Sequence, residues 1–476
     1  MLTKVLNNLA ALIEINQIYL FMNLKSILAF CAFLFLLTIA QISSADDVIV
    51  GYRHLADPGT LVYNGRVYLY ASNDDENSYN KNSGYKMKSI VCISSSDMKN
   101  WTDHGVVFEA PRDVAWAGRT WAPAAIARDG KIFLYFGNGG NGIGVATSSS
   151  PIGPFKDPIG KKLVETETPG VLPAPNMWLF DPMTFIDDDG QAYMYFGGNG
   201  ESNVRVIKLN RDMISVDGPA TSITAPAFFE ASWMHKRNGI YYFSYSTNPK
   251  AQMRIDYMMS KSPTTGFTYG GIVAAQPPKN NNNNHQGIFE FKGQWYHTYH
   301  NRAVAYKLGI PTEFKRNLAV EVLNYKADGS IEQVTYTADG VPQVEGLNPY
   351  MRVEAETMSD QQGVKTETCS KGGLNVTHIK NGDWIKVRGV DFGKGAKRFS
   401  ASVASIGKYN KIELRLGSSD GKVIGTLAVP NTGDAQAWKE VSCKVDGATG
   451  KQDLFLTIKG AEKPEVNIDF WTFSAK

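Results

Sequence analysis

Three carboxylates and an imidazole stand at matching places along this chain. Asp57, Asp181, Glu230 and His285 each lie eight or nine residues ahead of a glycine in a tight-turn pair: Gly65, Gly190, Gly239 and Gly293. The fifth such place, ahead of Gly130, holds Ala122 beside Trp121. Acidic side chains are seldom buried without a partner or a function. Taken singly, Asp57-Pro58 and Asp181-Pro182 would pass for strand ends facing solvent. Ionisable groups at four of five equivalent places point instead to one shared site, where carboxylates can give and take protons.

The elements that must position these groups form a repeat. Five segments share an irregular approach, a two-residue turn ending in Gly, and an aromatic-rich strand. The turns are Asn64-Gly65, Asp129-Gly130, Asp189-Gly190, Asn238-Gly239 and Lys292-Gly293. Asn-Gly and Asp-Gly are strong hairpin signals, because both turn positions need positive φ. The glycines are 65, 60, 49 and 54 residues apart. Each interval has room for about four short strands, which is one blade of a β-propeller. The repeat predicts an all-β five-bladed propeller over residues 46–345, with the first strand of each blade lining the axis. Five concordant units argue against a β-sandwich with chance hairpins.

Composition agrees. The chain has 476 residues, with 45 Gly and 11% aromatics, which suits short strands and more than one domain. A net charge of +3 without a long basic run excludes a nucleic-acid partner and leaves a neutral polymer acceptable. Residues 1–45 read as a signal peptide with an over-extended start: Lys25, an apolar run from Ile27 to Ile39, then Ser43-Ser44-Ala45. That run is shorter than the roughly 18–20 residues of a membrane span. The expectation is a secreted or periplasmic protein with no membrane attachment after cleavage. Cys92, Cys369 and Cys443 then remain, an odd number and no disulfide framework, although Cys369 and Cys443 are free to pair.

Residues 50–335 resemble glycoside hydrolase family 43. The motifs are Ala56-Asp57-Pro58, Trp121-Ala122-Pro123, Phe180-Asp181-Pro182, Glu230-Ala231 ahead of Asn238-Gly239, and the late His285. The resemblance implies a five-bladed propeller and single-displacement hydrolysis with inversion. It implies Asp57 as general base, Glu230 as general acid, and Asp181 as the residue that orients the acid and keeps its pKa high. It also places His285 beside a bound cation, usually calcium, largely through water. Calcium prefers oxygen ligands, so a lone His is a poor site in itself. The chemistry needs such a set. One carboxylic acid protonates the leaving oxygen while a carboxylate about 6.5–9.5 Å away activates water on the opposite face. Trp121 and Trp178 are candidate sugar platforms and Arg302 a candidate hydroxyl donor; Trp233, also near an axial position, reads as core. The run Asn280–Asn284 reads as a solvated spacer.

After a linker over Asp339–Pro349, residues 350–476 carry short alternating strands of a jelly-roll β-sandwich type. They resemble carbohydrate-binding module family 6 through Glu354-Ala355-Glu356, Asn381-Gly382-Asp383-Trp384, Trp438 and Asn467-Ile468-Asp469-Phe470. The resemblance implies a structural calcium site at Glu354, Glu356 and Asp469. Where relatives sandwich a sugar between two aromatics in the loop-end cleft, this chain has His378 and Ala435. The two resemblances together imply an exo-acting enzyme on plant pentosans, foremost an α-L-arabinofuranosidase acting on arabinoxylan. A β-xylosidase or bifunctional enzyme, an endo-arabinanase and a non-catalytic sugar-binding propeller follow in that order.

Overall fold

A computed structural model of the chain describes residues 48–74, 84–174, 176–248, 252–310, 314–460, 463 and 465–476. The leader read over residues 1–45 lies outside these. Among the described residues, no helix is long and apolar enough to cross a membrane.

Five antiparallel sheets follow one another. The first holds β1 (Leu55–Tyr63), β2 (Arg66–Asn73), β3 (Ser89–Ser95) and β4 (Trp101–Glu109). The second holds β5 (Trp121–Arg128), β6 (Lys131–Gly137) and β7 (Ile143–Ser148). The third holds β8 (Met183–Ile186), β9 (Ala192–Phe196), β10 (Val204–Leu209) and β11 (Val216–Ile223). The fourth holds β12 (Phe228–Arg237), β13 (Ile240–Thr247), β14 (Ile255–Ser260) and β15 (Thr268–Ala274). The fifth holds β16 (Gln286–Phe291), β17 (Gln294–Asn301) and β18 (Asn317–Leu323), with a short helix at Ala303–Lys307 before β18.

The turn chemistry is as the repeat requires at four of the five places; at the other, Gly190 has positive φ and Asp189 does not. Asn64-Gly65, Asp129-Gly130, Asn238-Gly239 and Lys292-Gly293 all have positive φ at both positions, the turn that matches strand twist. The opening strands touch in a cycle: β1 meets β5, β5 meets β8, β8 meets β12, β12 meets β16, and β16 meets β1. Apolar cores fill the seams between sheets. Leu55, Leu69 and Phe289 join the first sheet to the fifth, and Tyr70, Ile90 and Leu134 join the first to the second. Ile49 pairs with Leu318 of β18, so the start of the described chain joins the last of the five sheets. This all-β arrangement is consistent with a propeller.

The remaining strands are β19 (Val353–Glu354), β20 (Thr357–Met358), β21 (Asp360–Gln362), β22 (Lys365–Thr368), β23 (Leu374–Ile379), β24 (Trp384–Asp391), β25 (Ala396–Ser405), β26 (Asn410–Leu416), β27 (Lys422–Val429), β28 (Lys439–Ala448), β29 (Lys451–Lys459) and β30 (Val466–Ser474). One sheet runs β22-β23-β30-β25-β28 with β19 on β30, the other β21-β24-β29-β26-β27. Phe399, Leu414, Leu456 and Trp471 are among the buried side chains of the core they share. One short strand leaves this pattern. β20 pairs with β4 and extends the first sheet to five strands.

Candidate active site

Three of the axial positions sit at a break in a strand, while Asp181 and His285 lie just ahead of β8 and β16. The pairing of β1 with β2 shifts register between Ala56 and Gly59, and that of β5 with β6 between Trp121 and Ala124. The pairing of β12 with β13 shifts on both sides of Glu230. Such bulges bend a strand and re-aim a side chain. Asp57, Ala122, Asp181 and Ala231 have φ of 54°, 43°, 49° and 62°. Non-glycine residues seldom adopt these values, and each costs on the order of 1–3 kcal/mol. Four strained residues at the axis mark where the fold spends stability to place side chains.

Bulges in β1 and β12 and the approaches to β8 and β16 bring Asp57, Glu230, Asp181 and His285 to the wall of one cavity of about 430 Å³. His285 Nδ1 lies 3.9 Å from Asp57 Oδ1 and 3.8 Å from Asp181 Oδ2, between the two carboxylates. Asp181 Oδ2 accepts the backbone N–H of Ala231 at 3.0 Å, which ties it to the residue after Glu230.

The carboxyl groups sit in opposed environments. Burial is the largest single influence on Asp57 and disfavours its ionised form, but the Arg316 guanidinium, 2.6 Å from Oδ1, together with His300 and His285, outweighs it and holds the carboxyl far below the usual range. Arg316 is itself 1% exposed on its side chain and grips Asp74 through Nε and Nη2, both at 2.9 Å. Its guanidinium lies over the Tyr85 ring at 4.5 Å. Glu230 is pushed well up by burial and then by the charges of Asp181 and Asp57. Asp181 is pushed up by burial and by Asp57. Asp181 and Glu230 therefore hold one proton between them. The Ala231 N–H favours a charged Asp181; Glu230 is raised by burial and by two neighbouring carboxyls against a weaker opposing contact from Asn283, and its Oε1 is buried without a hydrogen bond, so Glu230 keeps the proton. Burial holds His285 down to about 4, leaving the imidazole neutral at pH 7.

Trp121 and Trp178 both line the cavity. Trp178 is 37% exposed and packs edge-on against Phe180 and Phe229, with ring centres 5.5 and 5.4 Å away. Trp233 is core, donating its indole N–H to Ile288 O. Arg302 is elsewhere than at the cavity wall. It is fully buried behind the asparagine run and donates to the side chains of Asn280 and Asn283.

The spacer reading of that run is corrected. Asn282 and Asn283 line the cavity and Asn284 is buried. Amide side chains carry both donors and acceptors, so the loop ties itself together. Asn280 donates to Asn284 Oδ1 at 2.8 Å, and Asn284 donates to Gln276 Oε1 at 2.9 Å. Sequence reasoning missed Arg316, Asp74, Tyr85, Asn283 and Phe229. The adjacent cations Lys315-Arg316 entering an apolar strand were the one available signal.

In the second domain, Glu354 pairs with Arg352, which also reaches Asp469 Oδ1 at 3.3 Å. Glu356 Oε2 and Asp469 Oδ2 are buried without hydrogen bonds. These orphaned oxygens fit a hard cation. The axial site does not fit one as a direct ligand set: His285 offers one nitrogen and Asp57 is committed to Arg316. Among the described residues, no group of three or more His, Cys, Asp or Glu is arranged to hold a metal ion. At the loop-end cleft, Asn467 donates to Glu367 Oε1 at 2.8 Å and Ala435 O at 2.9 Å. Cys92, Cys369 and Cys443 are all free.

A strained ring of carboxylates with one proton donor and one ionised partner defines an acid–base hydrolase site, and comparison with known proteins gives its class. Residues 48–342 match the model of glycosyl hydrolases family 43, and residues 354–475 that of carbohydrate binding module (family 6). The chain belongs to glycosyl hydrolases family 43 and is an inverting glycoside hydrolase. It is 43% identical to arabinoxylan arabinofuranohydrolase of Bacillus subtilis (strain 168), over 92% of this chain and 94% of that one. The crystal structure of a glycoside hydrolase family 43 arabinoxylan arabinofuranohydrolase from Bacillus subtilis in complex with cellotetraose superimposes with a TM-score of 0.84, covering 92% of this chain and 100% of that one at 42% identity. An α-L-arabinofuranosidase from Clostridium thermocellum ATCC 27405 is 56% identical with a TM-score of 0.55, over 60% of this chain and 96% of that one.

Proposed function

We propose that this chain removes α-L-arabinofuranosyl side chains from arabinoxylan by single displacement, on a five-bladed propeller. One observation carries the mechanism: on the wall of a single cavity, Asp57 is held ionised by Arg316 while Glu230 is held protonated by burial and by Asp181. Asp57 takes a proton from water as the water oxygen bonds to the anomeric carbon. Glu230 gives its proton to the glycosidic oxygen as the C–O bond breaks. Attack from the opposite face inverts the anomeric centre. Asp181 keeps the Glu230 proton in place until the leaving oxygen needs it. Trp121 and Trp178 offer ring faces to the sugar.

The cavity, about 430 Å³, is of a size for a small ligand rather than a long stretch of polymer, which favours exo action. The names of the two relatives that match over 92% of this chain favour arabinose over xylose. The five sheets, the cycle of contacts between their opening strands and the pairing of Ile49 with Leu318 support a closed five-bladed ring. In the second domain, Glu356 and Asp469, with Glu354, would hold a structural calcium ion, which supplies the charge their orphaned oxygens lack.

The test is proton NMR of arabinoxylan and xylobiose incubated with the wild type and with Glu230→Ala. Early β-arabinofuranose, abolished by the substitution, is the expected result. α-Xylose from xylobiose would move the assignment to a xylosidase. Retained configuration would sink single displacement.

A further inference from the structure

Asn283 stands between the two sides of the reaction. Its Oδ1 accepts from the Tyr85 hydroxyl at 3.2 Å and from Arg302 Nη2 at 3.1 Å. A guanidinium has no acceptor, so Arg302 decides which end of the amide is oxygen. Arg302 is fully buried and placed by the end of β17, so the arrangement is built rather than incidental. The amide nitrogen is the end left for Glu230, whose carboxyl lines the same cavity as Asn283 and lies near enough for the Asn283 side chain to favour its charged form. The Asn283 backbone carbonyl accepts from His300 Nε2 at 2.8 Å, while His300 Nδ1 accepts the backbone N–H of Asp57 at 3.3 Å. The same residue thus stands beside the acid and, through His300, is bonded toward the base.

An amide N–H only donates, so the Glu230 oxygen it meets must be the unprotonated one. We infer that Asn283 is a positioning residue for the hydrolysis, its amide oriented by Arg302 and Tyr85 so that the proton of Glu230 is left on the other oxygen, for the leaving group. This rests on the reading of Glu230 as the general acid. The buried Arg302 then acts through Asn283 rather than on the sugar.

A leaving group that departs easily needs no acid, and this separates positioning from packing. Asn283→Ala and Asn283→Asp are compared with wild type on arabinoxylan and on 2,4-dinitrophenyl α-L-arabinofuranoside, with Glu230→Ala alongside and thermal melts of each. Asn283→Asp keeps acceptors for Tyr85 and Arg302 but has no N–H to donate. Both Asn283 variants are expected to lose about 10- to 100-fold in kcat on arabinoxylan and less than about 3-fold on the dinitrophenyl substrate. Equal losses on the two substrates, or an Asn283→Asp variant that matches wild type, would overturn the inference. A Glu230→Ala variant that loses both activities alike would remove the acid reading and the inference with it. A selective Glu230→Ala beside unselective Asn283 variants would remove the inference alone.

Discussion

Asp57 and Glu230 differ by one methylene, yet their neighbours set them to opposite protonation states. Arg316 touches Asp57, while Glu230 is buried near two other carboxyls. Removing either group, as Asp57→Asn or Glu230→Gln, should lower kcat on arabinoxylan by about 10²–10⁴-fold. The pH profile follows from the same contacts. Activity needs Glu230 protonated, so the rate falls as pH rises through its raised pKa. Asp181→Asn removes the nearest negative charge and lowers that pKa, so the alkaline limb should move to lower pH. Activity also needs Asp57 ionised, so the rate falls as pH drops through its depressed pKa. Arg316→Met removes the compensating charge and raises that pKa, so the acid limb should move to higher pH. Measurement of kcat/KM against pH checks both; unmoved limbs would show that other groups govern the profile.

At the scale of the strand, the site depends on backbones that approach too closely for side chains. A Cβ on Gly59, two residues after Asp57, would lie 1.9 Å from Pro123 O on the neighbouring opening strand. One on Gly287 would meet Thr60 Cγ2 at 2.6 Å and Pro58 O at 2.9 Å on the other side of β1. β1 is therefore clamped on both flanks, which fixes Asp57 at its bulge. Gly59→Ala should destabilise by at least about 1–3 kcal/mol, since a packed seam resists added volume. Because β1 carries Asp57, kcat should fall further than the loss of folded protein explains. Melting temperature and kcat on the folded fraction test this, and an unchanged kcat would show that the bulge tolerates a shifted seam.

At the scale of the whole molecule, Asp103 helps tie the second domain to the first sheet. This buried carboxylate on β4 accepts from Arg53 Nε at 2.6 Å, the Tyr52 hydroxyl at 3.0 Å and Thr366 Oγ1 of the second domain at 3.0 Å. Asn100 and Arg388 exchange two hydrogen bonds across the same junction, beside the pairing of β20 with β4. Asp103→Ala strands these donors and should cost about 3–5 kcal/mol. The wild type should melt in a single transition, because the domains share a sheet. Two separate transitions by calorimetry would refute that coupling. Calcium should raise the melting temperature and a chelator reverse it, through the orphaned oxygens of Glu356 and Asp469; Asp469→Ala should abolish the response.

The local sequence determined a good deal by itself. Turn pairs such as Asn64-Gly65 and Asn238-Gly239 carry their own positive-φ requirement, so the hairpins and the axial places ahead of them were legible from spacing. Alternation marked the second domain as strands, and the family followed from the motifs around Asp57, Asp181 and Glu230. Only the tertiary structure decided what surrounds those groups. Arg316 meets Asp57 across 259 positions of sequence, and no local pattern encodes a contact made by bringing the first sheet against the fifth. The same holds for the asparagine run, which reads as polar and solvated until Arg302, Gln276 and Tyr85 are folded around it. Turn chemistry and strand pattern act over a few residues, whereas the charge state and aim of a catalytic carboxyl depend on whichever distant strands close around it.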